Sequence, residues 1–165
     1  MKVAVTDANI FIDLIHLDLI AELFRINIIV YTTIEIFYEL KSSEQEIIMQ
    51  FKKEGKLNIE SILEIHKGNS SLIIPSSRLS YSDISVLYLA SYLKANIISG
   101  DSLLKKIALE NNFEVYGILW IMDTMVNLKI ISSALACEKL EALLKYNKRM
   151  SLDESSSKIK IWQSL

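Results

Sequence analysis

The 165-residue chain predicts an α/β protein, a three-layer α/β/α fold with a central parallel sheet of about five strands. Short β-branched or apolar runs recur at Lys2 to Thr6, Ile28 to Tyr31, Ile97 to Ser99 and Val115 to Tyr116, as buried strands do. Between them lie stretches whose apolar residues recur at helical spacing. Parallel strands need crossover connections, and helices that supply them cover both faces of a sheet.

Lys2 to Thr6 predicts the first strand, Asp7 to Asn9 a turn, and Ile10 to Phe24 one helix. Ile28 to Tyr31 predicts the second strand, with Thr32 and Thr33 offering an N-cap for a helix running through Leu40. Ser43 to Lys53 places Ile47, Ile48 and Phe51 on one side of a further helix, with lysines in its last turn. Lys56 to Ser77 is the least legible stretch. It admits a strand at Leu57 to Ile59, a short helix near Ile62 to His66 and an apolar run at Leu72 to Ile74.

Ser80 opens an apolar helix reaching Leu93, Ile97 to Ser99 follows as a strand, and Ser102 to Asn111 as a helix. Val115 and Tyr116 give a short fifth strand, and Gly117 to Asn127 and Ser133 to Tyr146 two more helices. Beyond Met150 the polar, serine-rich segment and the run Lys158 to Trp162 suit a tail that docks as a strand or stays mobile. The expected organisation is one domain over 1–150 and a tail over 151–165.

Composition narrows the function classes. About half the residues are apolar (51%), with one proline and four glycines, which favours a packed core over linkers. Cys137 stands alone, so no internal disulfide forms, and a reducing cytoplasm fits. Asp7 and Asp13 interrupt what would be the apolar core of a signal peptide. No apolar run approaches the roughly 18 residues of a membrane span, so a soluble chain is expected. The net charge of −2 argues against simple nucleic-acid binding by a basic surface.

The chemistry resides in the acids. Asp7 follows the first strand and Asp101 follows Ile97-Ile98-Ser99-Gly100, and ligands of open α/β sheets bind beyond the carboxyl ends of strands where strand order reverses. Asp83 lies in the first turn of the helix leading into the Asp101 strand, and Glu39 on the helix after the second strand. Clustered carboxylates raise one another's pKa unless cations compensate them. An all-oxygen set suits Mg2+ or Mn2+, and no His or Cys set has zinc spacing, His16 and His66 standing apart. Such cations activate water against a phosphodiester, which points to a nuclease.

Val5-Thr6-Asp7-Ala8-Asn9, Tyr38-Glu39-Leu40, Ser80-Tyr81-Ser82-Asp83 and Ser99-Gly100-Asp101 resemble, in order and spacing over roughly residues 1 to 128, the four acidic motifs of PIN domains. That resemblance implies a five-stranded parallel sheet, dependence on Mg2+ or Mn2+, and cleavage of single-stranded RNA. It also implies, in many relatives, the toxin role in a toxin–antitoxin pair, with an antitoxin protein as partner, and pairing into homodimers. Asp7, Glu39, Asp83 and Asp101 would be the catalytic and metal-holding acids, and Asn9 and Ser99 would match polar positions that orient them. Two departures stand out: Ser102 occupies a position where many relatives carry a further acid, and 56–77 follows no family pattern.

Each acid also admits a plainer role. Asp7 suits an Asx-turn or helix cap. Glu39, four residues after Glu35, suits an exposed helical glutamate. Ser80 with Asp83 suits a capping box, and Asp101 suits a cap. Asp13, Asp18, Asp123 and Asp153 read as surface residues. Lys52, Lys53 and Lys56, and Lys145, Lys148 and Arg149, suit either an RNA backbone or the ordinary preference of helix ends for cations. Lys105 and Lys106 suit a solvated face equally well. A receiver-like signalling domain is excluded, since Asp7 lacks an acidic neighbour and Gly117-Ile118 stands where a lysine is required. The rival class is a catalytically silent PIN domain that only binds protein or RNA.

Overall fold

The computed structural model describes residues 3–62 and 79–164. β1 (Val3–Thr6) has Ala4, Val5 and Thr6 fully buried and lies at the centre of the sheet. It pairs in parallel with β2 (Ile29–Thr33) through Val3–Ile29 and Val5–Tyr31. On its other side β4 (Asn96–Ile98) aligns Thr6 with Ile98. β3 (Leu57–Glu60) forms one edge beside β2, and β5 (Val115–Tyr116) the other beside β4. The order is β3-β2-β1-β4-β5, parallel throughout. The chain therefore winds outward from β1 to β3, then returns to the far side of β1. Its switch point is the crevice at the carboxyl ends of β1 and β4, where such sheets accept ligands.

Helices on both faces complete the three-layer α/β/α architecture that the alternation of strands and helices predicts. α1 (Ala8–His16) follows β1 at once. The single helix expected from Ile10 to Phe24 is broken. Asp18 adopts the left-handed conformation (φ 53°), and the Leu19 N–H reaches back to the Leu14 carbonyl at 2.8 Å while the Asp18 N–H reaches Ile15 at 3.1 Å. This is a Schellman stop, which Asp tolerates better than bulkier residues do. α2 (Ile20–Leu23) then starts afresh, with Leu17, Leu19 and Ile20 buried on either side of the break.

α3 (Ile34–Glu39) is capped as expected, Thr33 Oγ1 accepting from the Ile36 N–H at 3.2 Å. α4 (Ser42–Lys53) leads to Gly55, whose φ of 70° suits glycine and turns the chain into β3. The strand that the sequence left unsettled near Leu57 is thus an edge strand reaching Glu60. Apart from Ile62, the short helix expected near Ile62 to His66 and the run Leu72 to Ile74 lie outside the described residues. α5 (Tyr81–Leu93) lies across β1, β2 and β4. α6 (Ser102–Glu110), α7 (Ile118–Asn127) and α8 (Ser133–Tyr146) follow the expected order. Phe11, Leu14, Leu87, Leu89, Ile97, Met122 and Leu140 form one continuous core.

The tail corrects the sequence reading. Residues Leu152–Gln163 form a helix, α9, neither strand nor loose chain, packed on α8. Ser151 caps it, and Trp162, only 1% exposed, donates its indole N–H to Asp123 at 3.0 Å. Lys158 pairs with the same carboxylate at 2.9 Å. The run of serines hides this helix because serine is a modest helix former whose side chain competes for backbone bonds. Nor is Asp13 a surface residue: it is 4% exposed and accepts from Asn147 Nδ2 at 2.8 Å. Among the described residues no helix is long and apolar enough to cross a membrane.

Candidate active site

Asp7 leaves β1 at the switch point, its N–H bonded to the Ile98 carbonyl at 3.2 Å. Oδ1 caps α1 by accepting from the Ile10 N–H at 3.2 Å, and Oδ2 accepts from the Ser99 hydroxyl. The same Ser99 oxygen accepts the Asp101 N–H at 3.0 Å. Asp101 then caps α6, its Oδ1 accepting from Leu103 and Leu104 at 2.9 and 2.8 Å. Both acids therefore stand where helix N-termini favour negative charge.

Asp83 arrives on the first turn of α5. Ser80 Oγ accepts the Asp83 N–H at 3.0 Å, and Asp83 Oδ2 accepts both the Ser80 N–H at 3.2 Å and the Ser80 hydroxyl at 2.6 Å. This is the capping box that the spacing allows. Glu39, at the exposed end of α3, accepts from the Ser82 hydroxyl, so α3 and α5 are joined beside Asp83. Buried below, Thr33 and Ser85 share a hydrogen bond at 2.6 Å, Ser85 also donates to the Ser82 carbonyl at 2.6 Å, and Thr32 donates to the Thr6 carbonyl at 2.9 Å.

Ser82, Ser85 and Thr33 were not picked out by sequence reasoning as positioning residues. Ser82 lies inside an acidic motif, and hydroxyls at alternate positions beside an acid were the available signal. Of the two polar positions singled out, Ser99 touches both Asp7 and Asp101. Asn9 instead accepts from Arg149 Nη2 at 2.9 Å.

The electrostatics converge on Asp7. It is 2% exposed, and burial pushes its carboxyl from the ordinary 3.8 up to about 6. The Ser99 and Ile10 hydrogen bonds oppose that shift, while the charges of Asp83 and Asp101 add to it. Asp7 thus feels the charges of Asp83 and Asp101 although the three come from separate parts of the sequence. Among the described residues, none of these acids, nor Glu39, has an ion-pair partner.

The capping roles leave specific oxygens uncommitted. Among the described residues no hydrogen bond engages Asp83 Oδ1 or Asp101 Oδ2. The donor set, all carboxylate and short of positive charge, fits a hard cation. The carboxylates are not drawn into a closed shell, however: among the described residues no three His, Cys, Asp or Glu side chains form a ready metal cluster.

A comparison with curated proteins finds no match. A family model described as a PIN domain matches residues 3–164. Its span covers the parallel sheet, the acids at the carboxyl ends of β1 and β4, and the C-terminal helix. With this nuclease-type fold, the chain belongs to the PIN-domain family.

Proposed function

We propose that the chain is a metal-dependent endoribonuclease acting on single-stranded RNA, with Asp7, Asp83 and Asp101 holding Mg2+ or Mn2+ and Glu39 completing the set. The observation that carries this reading is the Asp7 carboxylate, buried at the switch point, under the charges of two further acids and balanced by no ion pair among the described residues. A divalent cation, when bound, activates water and stabilises charge on a phosphodiester. The chain's own contribution is orientation. Ser99 holds Asp7 and presents Asp101, while Ser80 and Ser82 hold Asp83 and Glu39. Membership of the family supports the further proposal of a cytoplasmic toxin neutralised by a small antitoxin protein that inserts over the same acids.

The second reading, a catalytically silent PIN domain, is favoured by the lack of a closed three-ligand cluster among the described residues. Cleavage of a fluorescent single-stranded RNA panel with Mg2+ or Mn2+ separates the two, run on the native chain, on Asp7→Asn and with a chelator. Cleavage that needs both the metal and Asp7 supports the nuclease. An inert native chain that binds no Mn2+ supports the silent module.

A further inference from the structure

Three pairs of side chains zip the turn after α8 onto one face of α1. Asn9, Asp13 and His16 lie along that face at helical spacing. Tyr146 sets its ring 4.2 Å from that of His16. Asn147 donates to Asp13 at 2.8 Å, and Arg149 to Asn9 at 2.9 Å. The pairs run antiparallel, so the last of them, Arg149, is delivered to the N-terminal end of α1, two residues from Asp7. Asn147 also stiffens the turn itself, its Oδ1 accepting from the Arg149 N–H at 3.1 Å.

This placement gives the guanidinium an unusual role. Its hydrogen-bond acceptor is a neutral amide, and among the described residues it forms no ion pair, although its charge is felt at Asp13. Arg149 is exposed, and a guanidinium carries five N–H donors in a planar fork. One nitrogen is held by Asn9 in the first turn of α1, the helix that Asp7 caps, and the acids at that end of the sheet would by themselves repel a polyanion. We propose that Arg149 is a phosphate-binding residue of the substrate groove, contacting the backbone of single-stranded RNA next to the phosphodiester presented to Asp7, Asp83 and Asp101. The proposal deepens the nuclease reading and rests on it for the substrate class.

The test uses the full chain and a short fluorescein-labelled single-stranded RNA. Binding is followed by anisotropy in chelator over a salt series, and cleavage by KM and kcat with Mn2+. Arg149→Ala is compared with Arg149→Lys and with Lys160→Ala, an exposed cation on α9, after thermal melts establish that each variant is folded. Expected for Arg149→Ala is a roughly tenfold weaker Kd or higher KM, with kcat within about twofold and a salt slope smaller by the ~0.7 of one single-strand phosphate contact. Arg149→Lys recovers part of the loss, because charge is kept but the fork is not, and Lys160→Ala matches the native chain.

If native protein binds or cleaves RNA and Arg149→Ala does so with unchanged affinity and salt slope, the Arg149 assignment falls while the nuclease reading survives. Equal losses in Arg149→Ala and Lys160→Ala also overturn it, since any surface cation then serves. If native protein binds RNA through Arg149 but never cleaves it, the phosphate site stands and the nuclease reading falls. If native protein neither binds nor cleaves RNA, both fall.

Discussion

Ser99 ties Asp7 to Asp101 with a single hydroxyl: it donates to the Asp7 carboxylate, 92 positions away, and its oxygen accepts the Asp101 N–H at 3.0 Å. One small side chain therefore orients the acid that leaves β1 and the backbone that delivers the acid after β4. Ser99→Ala removes both bonds inside a buried site. The expected outcome is a stability loss of about 1–3 kcal/mol and roughly tenfold weaker Mn2+ binding. Chemical denaturation and a Mn2+ titration check the two effects.

Asp7 itself makes stability depend on pH. Its folded pKa of about 6 lies above the ordinary 3.8, so the folded state holds this proton more tightly than the unfolded state does. The resulting stabilisation is full below about pH 3.8 and is lost as pH rises through about 6. Asp7→Asn keeps an acceptor for the Ile10 N–H and carries no charge. In chelator it should therefore melt above the native chain at about pH 8, by an amount on the order of 2–3 kcal/mol, and level with it at about pH 3.5. Added Mn2+ should raise the native melting temperature and leave the variant unmoved. A native chain that stays more stable than Asp7→Asn at high pH without metal would mean that burial of this charge is not the dominant cost.

Glu39 is exposed and Ser82 is buried, so their variants should differ in kind. Glu39→Gln should fold with native stability, within about 0.5 kcal/mol, and lose most metal-dependent cleavage. Ser82→Ala should lose less cleavage and more stability, about 1 kcal/mol, because it frees Glu39 without removing the carboxylate. Kinetics with Mn2+ alongside urea denaturation distinguishes the two patterns.

The C-terminal helix depends on Trp162. Trp162→Ala should cost about 3–5 kcal/mol through the cavity it leaves between α9 and its supports. Trp162→Phe should cost less, since Asp123 retains Lys158. Equilibrium denaturation reads both, and loss of helical ellipticity without loss of RNA cleavage would show that α9 stabilises the domain from outside the acidic site.

Much of the fold was legible because its signals are local. β1, β2, β4 and β5 announce themselves as short β-branched or apolar runs, and the helices between them repeat at a helical period. The Schellman stop at Asp18 was missed because apolar residues continue through Leu17, Leu19 and Ile20, and a left-handed residue leaves no gap in that pattern. The helical tail was missed because its buried residues, Ser155 and Trp162, make too sparse a stripe. Of the candidate site, Asp7, Asp83 and Asp101 were visible through their place at strand ends and helix starts, where capping and cation binding call for the same residue types, whereas Glu39 and Ser99 stood out through the resemblance to the family's motifs. Asp13 read as a surface acid because its partner, Asn147, is 134 positions away.

By itself, then, the sequence determined the layered α/β class, the parallel sheet and the acids at its carboxyl edge, since strand period, helix period and capping chemistry are properties of neighbouring residues. Only the tertiary structure decided which acids share a field, that Ser82 holds Glu39, and that Arg149 is latched to Asn9. Each of these is a contact between segments that fold onto one another from far apart in the chain. Such a contact is made when sheet order and helix packing bring the segments together, and it leaves no periodic trace in either one.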